Sequence, residues 1–384
     1  MRQFQTKQHY AILDGLRGVA ALLVIVYHVF ECFDWTPVPH GYLAVDFFFV
    51  LSGFVIGYAY DSRWNEGLTV GNFFKRRLIR LHPMVIIGAL IGAVCFLLQG
   101  SVRWDGTLVS IGWVMIAMLL SMFMLPLYPG AAADVRGNGE LFPLNGPSWS
   151  LFFEYIGNIL YALLLRRLST RWLAGVALVS GSLLTYIAVS DGYLGVGWSM
   201  VDGGLWTGLI RMLFPYTVGM LMARCFRPVK GAKGVFWLCG VIIFLVGCLP
   251  LAFGELLPWH SGLYDALCVI LVFPSLVWLG ASQLSVGAVT HRVSNFLGEL
   301  SYPLYAVHYP LMYLFYAHIG FTGDLVSISK LNDVWPVALM LPVGCILLAW
   351  LCWRFYDRPV RRYFMKANKM TQQRASRANS DDSM

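Results

Sequence analysis

Arg17 and His28 stand eleven residues apart inside an apolar run, Leu13 to Phe33, that otherwise reads as a membrane helix. Eleven steps of about 100° return both side chains to nearly one face, roughly 16 Å apart along the axis. An ionisable side chain at depth costs roughly 2.5–3.5 kcal/mol on insertion scales, so the pair is expected to face the bundle interior and line one polar site. A histidine there has proton chemistry to offer, because an imidazole titrates near pH ~6.5 and can take a proton from a hydroxyl. The plainer alternative has Arg17 snorkelling to cytoplasmic headgroups and His28 packed and hydrogen-bonded.

Other polar residues fall in similarly costly places. Asp46 precedes Phe47, Phe48 and Phe49 within a second apolar run, so it needs a cation or donor nearby unless water at the outer interface reaches it. Gly53, seven residues on, shares its face and would let a helix or ligand approach closely. Lys75, Arg76, Arg77 and Arg80 gather at the mouth of the third run. Arginines forked toward phosphates hold nucleotide-type ligands, whereas a basic juxtamembrane cluster also serves as a topology signal on anionic lipid. No glycine-rich phosphate loop is present. Ser150 with Glu154, and Tyr305 with His308, are pairs at helical spacing that could line the same cavity. His260, Tyr264 and Asp265 form a weaker cluster, read as interfacial.

The elements that must position these groups are membrane helices. The 384 residues are 58% apolar and 12% charged, with mean hydropathy +0.65, a balance that excludes an ordinary soluble domain. Apolar runs lie at about 11–33, 41–60, 82–99, 107–126, 147–165, 172–190, 205–223, 234–253, 262–282, 296–318 and 334–356. Basic clusters at 75–80, 166–171, 224–233 and 354–362 are assigned to the cytoplasm, with nothing to suggest nucleic acid. Keeping the first two of these inside requires an even number of crossings where three runs lie. The run 107–126, ending in Pro126 and Pro129, is the one expected to be re-entrant or partial. The expected fold is an all-α polytopic transmembrane bundle of about ten crossings with both termini cytoplasmic. The Gly-, Pro- and Ala-rich stretch 127–146 is the longest external loop, and the polar tail 365–384 is disordered. No cleavable signal peptide is read. The eight cysteines lack CxxC spacing and read as small buried hydrophobes, with no metal site.

Taken together, Leu13-Asp14-Gly15-Leu16-Arg17-Gly18 through His28, Val45-Asp46 through Ser52-Gly53-Phe54, Lys75-Arg76-Arg77-Leu78-Ile79-Arg80, Trp149-Ser150 through Glu154 and Ser301-Tyr302 through Tyr305 and His308 resemble the acyltransferase 3 family of membrane acyltransferases. The likeness runs from about residue 10 to 364, taken as one domain. It implies a ten-helix bacterial inner-membrane enzyme moving an acyl group, commonly acetyl from acetyl-CoA, onto a hydroxyl of a surface polysaccharide or glycolipid. His28 and Arg17 would be the essential first-helix pair, with Arg76, Arg77 and Arg80 on CoA phosphates. Two features depart from the family pattern. Asp357-Arg358-Pro359 stands where a Glu is usual before Arg/Lys-Pro. The extracytoplasmic SGNH hydrolase-like domain of some members is not found, which leaves direct transfer and handover to a separate extracytoplasmic partner both open.

In the mechanism expected from these residues, His28 is the general base on the acceptor hydroxyl, whose oxygen attacks the thioester. Asp46, Glu154 or His308 would orient it or stabilise charge on the tetrahedral intermediate. A covalent intermediate through His28 or Ser52 is the less favoured route. The rival from another class is a transporter or flippase for a lipid-linked sugar.

Overall fold

The computed structural model describes residues 10–201, 203–229, 233–249, 258–283 and 287–366. The proposed tail therefore lies, beyond Lys366, outside the described residues. All eleven apolar runs are helical: α1 Ala11–Phe30, α2 Ala44–Asn65, α3 Val70–Leu98, α4 Ile111–Met122, α5 Ser148–Leu163, α6 Thr170–Asp191, α7 Gly204–Cys225, α8 Val235–Cys248, α9 Pro258–Leu267 with α10 Phe273–Ser282, α11 Ala288–Val307 with α12 Tyr309–His318, and α13 Leu331–Cys352. Strands are absent among the described residues, which hold only isolated bridges such as Phe33 to Val326.

Eight of the described helical segments are long and apolar enough to cross a membrane. The 12 residues of α4 amount to about 18 Å of helix, short of a hydrocarbon layer of about 30 Å. The shortfall falls on the run expected to be partial, and the 14 residues of α8 are short as well. The paired helices α11 and α12 are more polar because they are wedged inside, where α11 turns Asn295, Glu299 and Ser301 toward a cavity.

Close backbone approach locks the bundle at two seams. A Cβ on Gly53 of α2 would sit 2.0 Å from the carbonyl oxygen of Tyr216 on α7. The expectation that Gly53 admits a neighbouring backbone is met by a helix rather than a ligand. A Cβ on Gly298 of α11 would sit 2.6 Å from the Cβ of Asp14 on α1, and this seam brings Arg17 onto α11.

The break between α11 and α12 follows from Pro310, which has no N–H for the carbonyl of Ala306 four residues back. Asn145 Nδ2 donates to that carbonyl at 2.8 Å instead, so the loop 127–146 is pinned to the bundle. Leu141, Phe142 and Leu144 of this loop are fully buried. The stretch read as an external loop is therefore folded into the protein.

Basic clusters distant in sequence meet at one end. Arg224 pairs with Asp61 at 3.1 Å and donates to the carbonyl of Leu168 at 2.8 Å, while Arg166 lies over the Trp64 ring at 4.0 Å.

Candidate active site

A cavity of about 490 Å³ opens among α1, α2, α3, α5, α11 and the extension of α13. Its walls carry Arg17, Arg77, Arg80, Arg358 and Arg361 against Asp14, Glu154 and Glu299. Five guanidiniums facing three carboxylates leave an excess of positive charge. Arg17 is fixed by Nε donating to Ser301 Oγ at 2.7 Å and Nη2 to the Gly298 carbonyl at 3.0 Å. Arg77 Nη2 and Ser52 Oγ both donate to Glu154 Oε1, at 2.7 and 3.0 Å. Arg80 is exposed, and its exposure is to the cavity. Arg76, expected beside Arg77 and Arg80, is not on the cavity wall. Steps of about 100° put residue 80 between 76 and 77 around α3, so the cavity takes in the side of the helix that carries 77 and 80.

At the inner tip of the cavity Ser150 Oγ and Tyr305 Oη are 2.6 Å apart. The pairs Ser150–Glu154 and Tyr305–His308 therefore do meet, although His308 lies behind Tyr305, with ring centroids 5.9 Å apart, and not on the wall. His308 is fully buried. Its Nδ1 lies 2.9 Å from the Tyr305 carbonyl and 3.1 Å from that of Leu304. Carbonyls only accept, so Nδ1 carries the proton and Nε2, which has no partner, presents a lone pair.

Beyond His308, at 5.3 Å between ring centroids, stands His28. The expectation that Arg17 and His28 line one cavity is corrected here. Arg17 is on the wall, while His28 is reached past Tyr305 and His308, whose rings fill the space between. His28 retains 15% side-chain exposure. Its Nδ1 is 2.8 Å from Glu31 Oε2, at ion-pair distance but off the line of a hydrogen bond. Tyr309 and Tyr316 donate to Glu31 Oε1 at 2.8 and 2.7 Å, and Tyr316 also reaches the His28 carbonyl.

Asp46 takes no place on the cavity wall. Arg211 grips it through Nε and Nη2 at 2.8–3.2 Å and spends its remaining donors on the carbonyls of Val196 and Tyr42. Both side chains are almost fully buried. The need for a cation is thus met by a saturated structural pair. Asp265, read as interfacial, is also wholly buried. It accepts from Tyr42 at 2.6 Å and the Leu194 amide at 2.8 Å, and its Oδ1 is 2.7 Å from His40 Nδ1.

The loop between α4 and α5 closes the His28 side. Arg136 sits over the Tyr313 ring at 3.8 Å and the Trp104 ring at 4.7 Å. Glu140 accepts from Tyr313 and from Asn138; burial raises its carboxyl above the usual carboxylate range.

Sequence reasoning missed Glu31, Arg211, Arg358 and Arg361 as site or support residues. Glu31 had a usable signal, since it follows His28 at i+3 and so shares its face. Arg211 had none, standing 165 residues from Asp46.

The chain is 36% identical over 162 residues to Protein 2 in picA locus of Rhizobium radiobacter, covering 40% of this chain and 82% of that one. It is 26% identical over 377 residues to the peptidoglycan O-acetyltransferase OatA of Listeria monocytogenes, covering 93% of this chain and 56% of that one. The chain thus spans little more than half the length of this second relative. No solved structure matches. The family model described as an acyltransferase domain (acyltransferase 3) matches residues 10–356, a span that holds His28, Glu31, Arg17, Arg77, Arg80 and Glu154, and the chain belongs to that family.

Proposed function

We propose that this protein is a membrane O-acyltransferase. It moves an acyl group, most simply acetyl, from acyl-CoA in the arginine-lined cavity to a carbohydrate hydroxyl presented beside His28. One observation carries the reading: a cationic cavity at one end of the bundle leads to a histidine–carboxylate pair at the other, with Ser150, Tyr305 and His308 between them. The cationic wall suits donor phosphates.

The steps balance without a further reactant. His28 takes the hydroxyl proton through its second ring nitrogen while the Glu31 carboxylate, at ion-pair distance from Nδ1, offsets the positive charge that forms on the ring. With the Tyr305 and His308 rings turned from between the two substrates, the acceptor oxygen bonds to the thioester carbonyl carbon, the C–S bond breaks, and the departing thiolate receives the proton from His28. One of the Ser150 and Tyr305 hydroxyls would turn from the Pro147 carbonyl, to which they now donate, to meet negative charge developing on the carbonyl oxygen.

By the positive-inside rule the arginine end faces the cytoplasm, where acyl-CoA is made, and the His28 end faces outward, with both termini inside a bacterial inner membrane. Residues 1–364 act as one catalytic domain, and 365–384 is a cytoplasmic tail. Delivery through a separate extracytoplasmic acyl-handling partner is the alternative route.

Mass analysis of surface glycans from cells with and without the gene tests this. Loss of one acyl mass on otherwise unchanged glycan is expected. Loss of the glycan itself, or its accumulation without change in acylation, would show a transporter.

A further inference from the structure

The five guanidiniums of the cavity are not equally free. Arg17 is spent on Ser301 and Gly298, Arg77 on Glu154, and Arg361 Nη2 lies 2.5 Å from Asp357 Oδ2. Arg80 and Arg358 line the same cavity and have no hydrogen bond or ion pair with another described residue. The five guanidiniums of the wall outnumber its three carboxylates, and an anionic ligand offsets that surplus of positive charge.

The way Arg358 reaches the wall is specific. In an α-helix, residues five apart are about 140° out of phase. The extension of α13 instead makes a π turn over Trp353–Asp357, whose i to i+5 closure brings Trp353 and Arg358 onto one side. Arg358 Cζ accordingly lies 5.3 Å from the Trp353 ring centroid, and both residues face the cavity. This turn packs against α3, which carries Arg80. A wide turn that places a ring-supported guanidinium on the same cavity wall as Arg80, neither of them in an ion pair with a described residue, has the form of a phosphate clamp.

We infer that Arg358, supported on Trp353, acts with Arg80 as the phosphate-recognising site for the nucleotide end of the donor and sets the preference for CoA over its phosphate-free analogue. This rests on the acyl-CoA reading above. Trp353 is a positioning residue, holding the plane of the guanidinium.

Calorimetry on the detergent-solubilised full chain tests it with CoA and pantetheine as probes. The wild-type protein should bind CoA at least about tenfold more tightly than pantetheine. Arg358→Ala should weaken CoA by about 10- to 100-fold, the range for a lost charge-assisted pair, and leave pantetheine unchanged. Arg358→Lys should recover part of the loss. Arg358 has no internal hydrogen bond, so the melting temperature should hold, which separates a binding defect from a folding one. Undiminished CoA binding by Arg358→Ala, equal weakening of both probes, or a wild-type protein that does not distinguish them overturns the inference. A wild-type protein that binds neither probe overturns the acyl-CoA reading itself, and the inference with it.

Discussion

Glu31 stands one helical turn beyond His28 on α1, with Oε2 2.8 Å from the imidazole Nδ1. Its other oxygen is held by the phenols of Tyr309 and Tyr316. Two donated hydrogen bonds keep the carboxylate in place at ion-pair distance from the ring. His28 therefore sits in a built environment in which both the ring and its partner are constrained.

Removing the charge while keeping the shape separates orientation from packing. Glu31→Gln should lower the acyl-transfer rate by about 100-fold and leave CoA affinity unchanged, since Glu31 is not on the cavity wall. Turnover and CoA titration on the same preparation check both halves.

Asp46 and Arg211 should behave as a structural pair. Asp46→Ala leaves a buried guanidinium without its counter-charge, a loss of about 3–5 kcal/mol, so the melting temperature should fall sharply. CoA affinity of the protein that stays folded should not change. A variant of normal stability that has lost only its rate would place Asp46 in the chemistry.

The basic cluster on α3 divides in two. Arg80→Ala should raise the CoA concentration needed for half-maximal rate by about tenfold or more, whereas Arg76→Ala should leave it as it is, because Arg76 is off the cavity wall. Equal effects of the two substitutions would mean that the cluster acts only through its general charge.

Gly53→Ala places a methyl 2.0 Å from the Tyr216 carbonyl oxygen, a backbone atom with no freedom to yield. Overpacking of this kind costs about 1–3 kcal/mol or more. Lower yield of monodisperse protein and a reduced melting temperature are expected.

Much of this was legible in the sequence because membrane constraints are strong. Apolar length located the helical runs; charge balance required one of three runs to fall short and the prolines pointed to 107–126, which holds the 12-residue α4, one of two short apolar helices among the described residues, with α8. Helical spacing put Ser150 with Glu154 on the cavity wall, whereas of Tyr305 and His308 only Tyr305 reaches it. The cost of burying Asp46 correctly demanded a cation. That the cation is Arg211, and that the pair is saturated, depends on the α2–α7 seam, which no local pattern encodes. The separation of His28 from the Arg17 cavity was likewise hidden, because helical phase fixes a face but does not say which side chains from other helices fill the space between. The cavity role of Arg358 depends on a π turn in α13, and a one-residue change of helical phase leaves no mark in composition or hydropathy.

The most direct test of the account is acyl transfer from labelled acetyl-CoA by purified His28→Ala in lipid vesicles containing the acceptor glycan, alongside CoA binding by the same sample. The account predicts that transfer falls to background while CoA binding stays at the wild-type level. Transfer at the wild-type rate would contradict the assignment of His28 as the base.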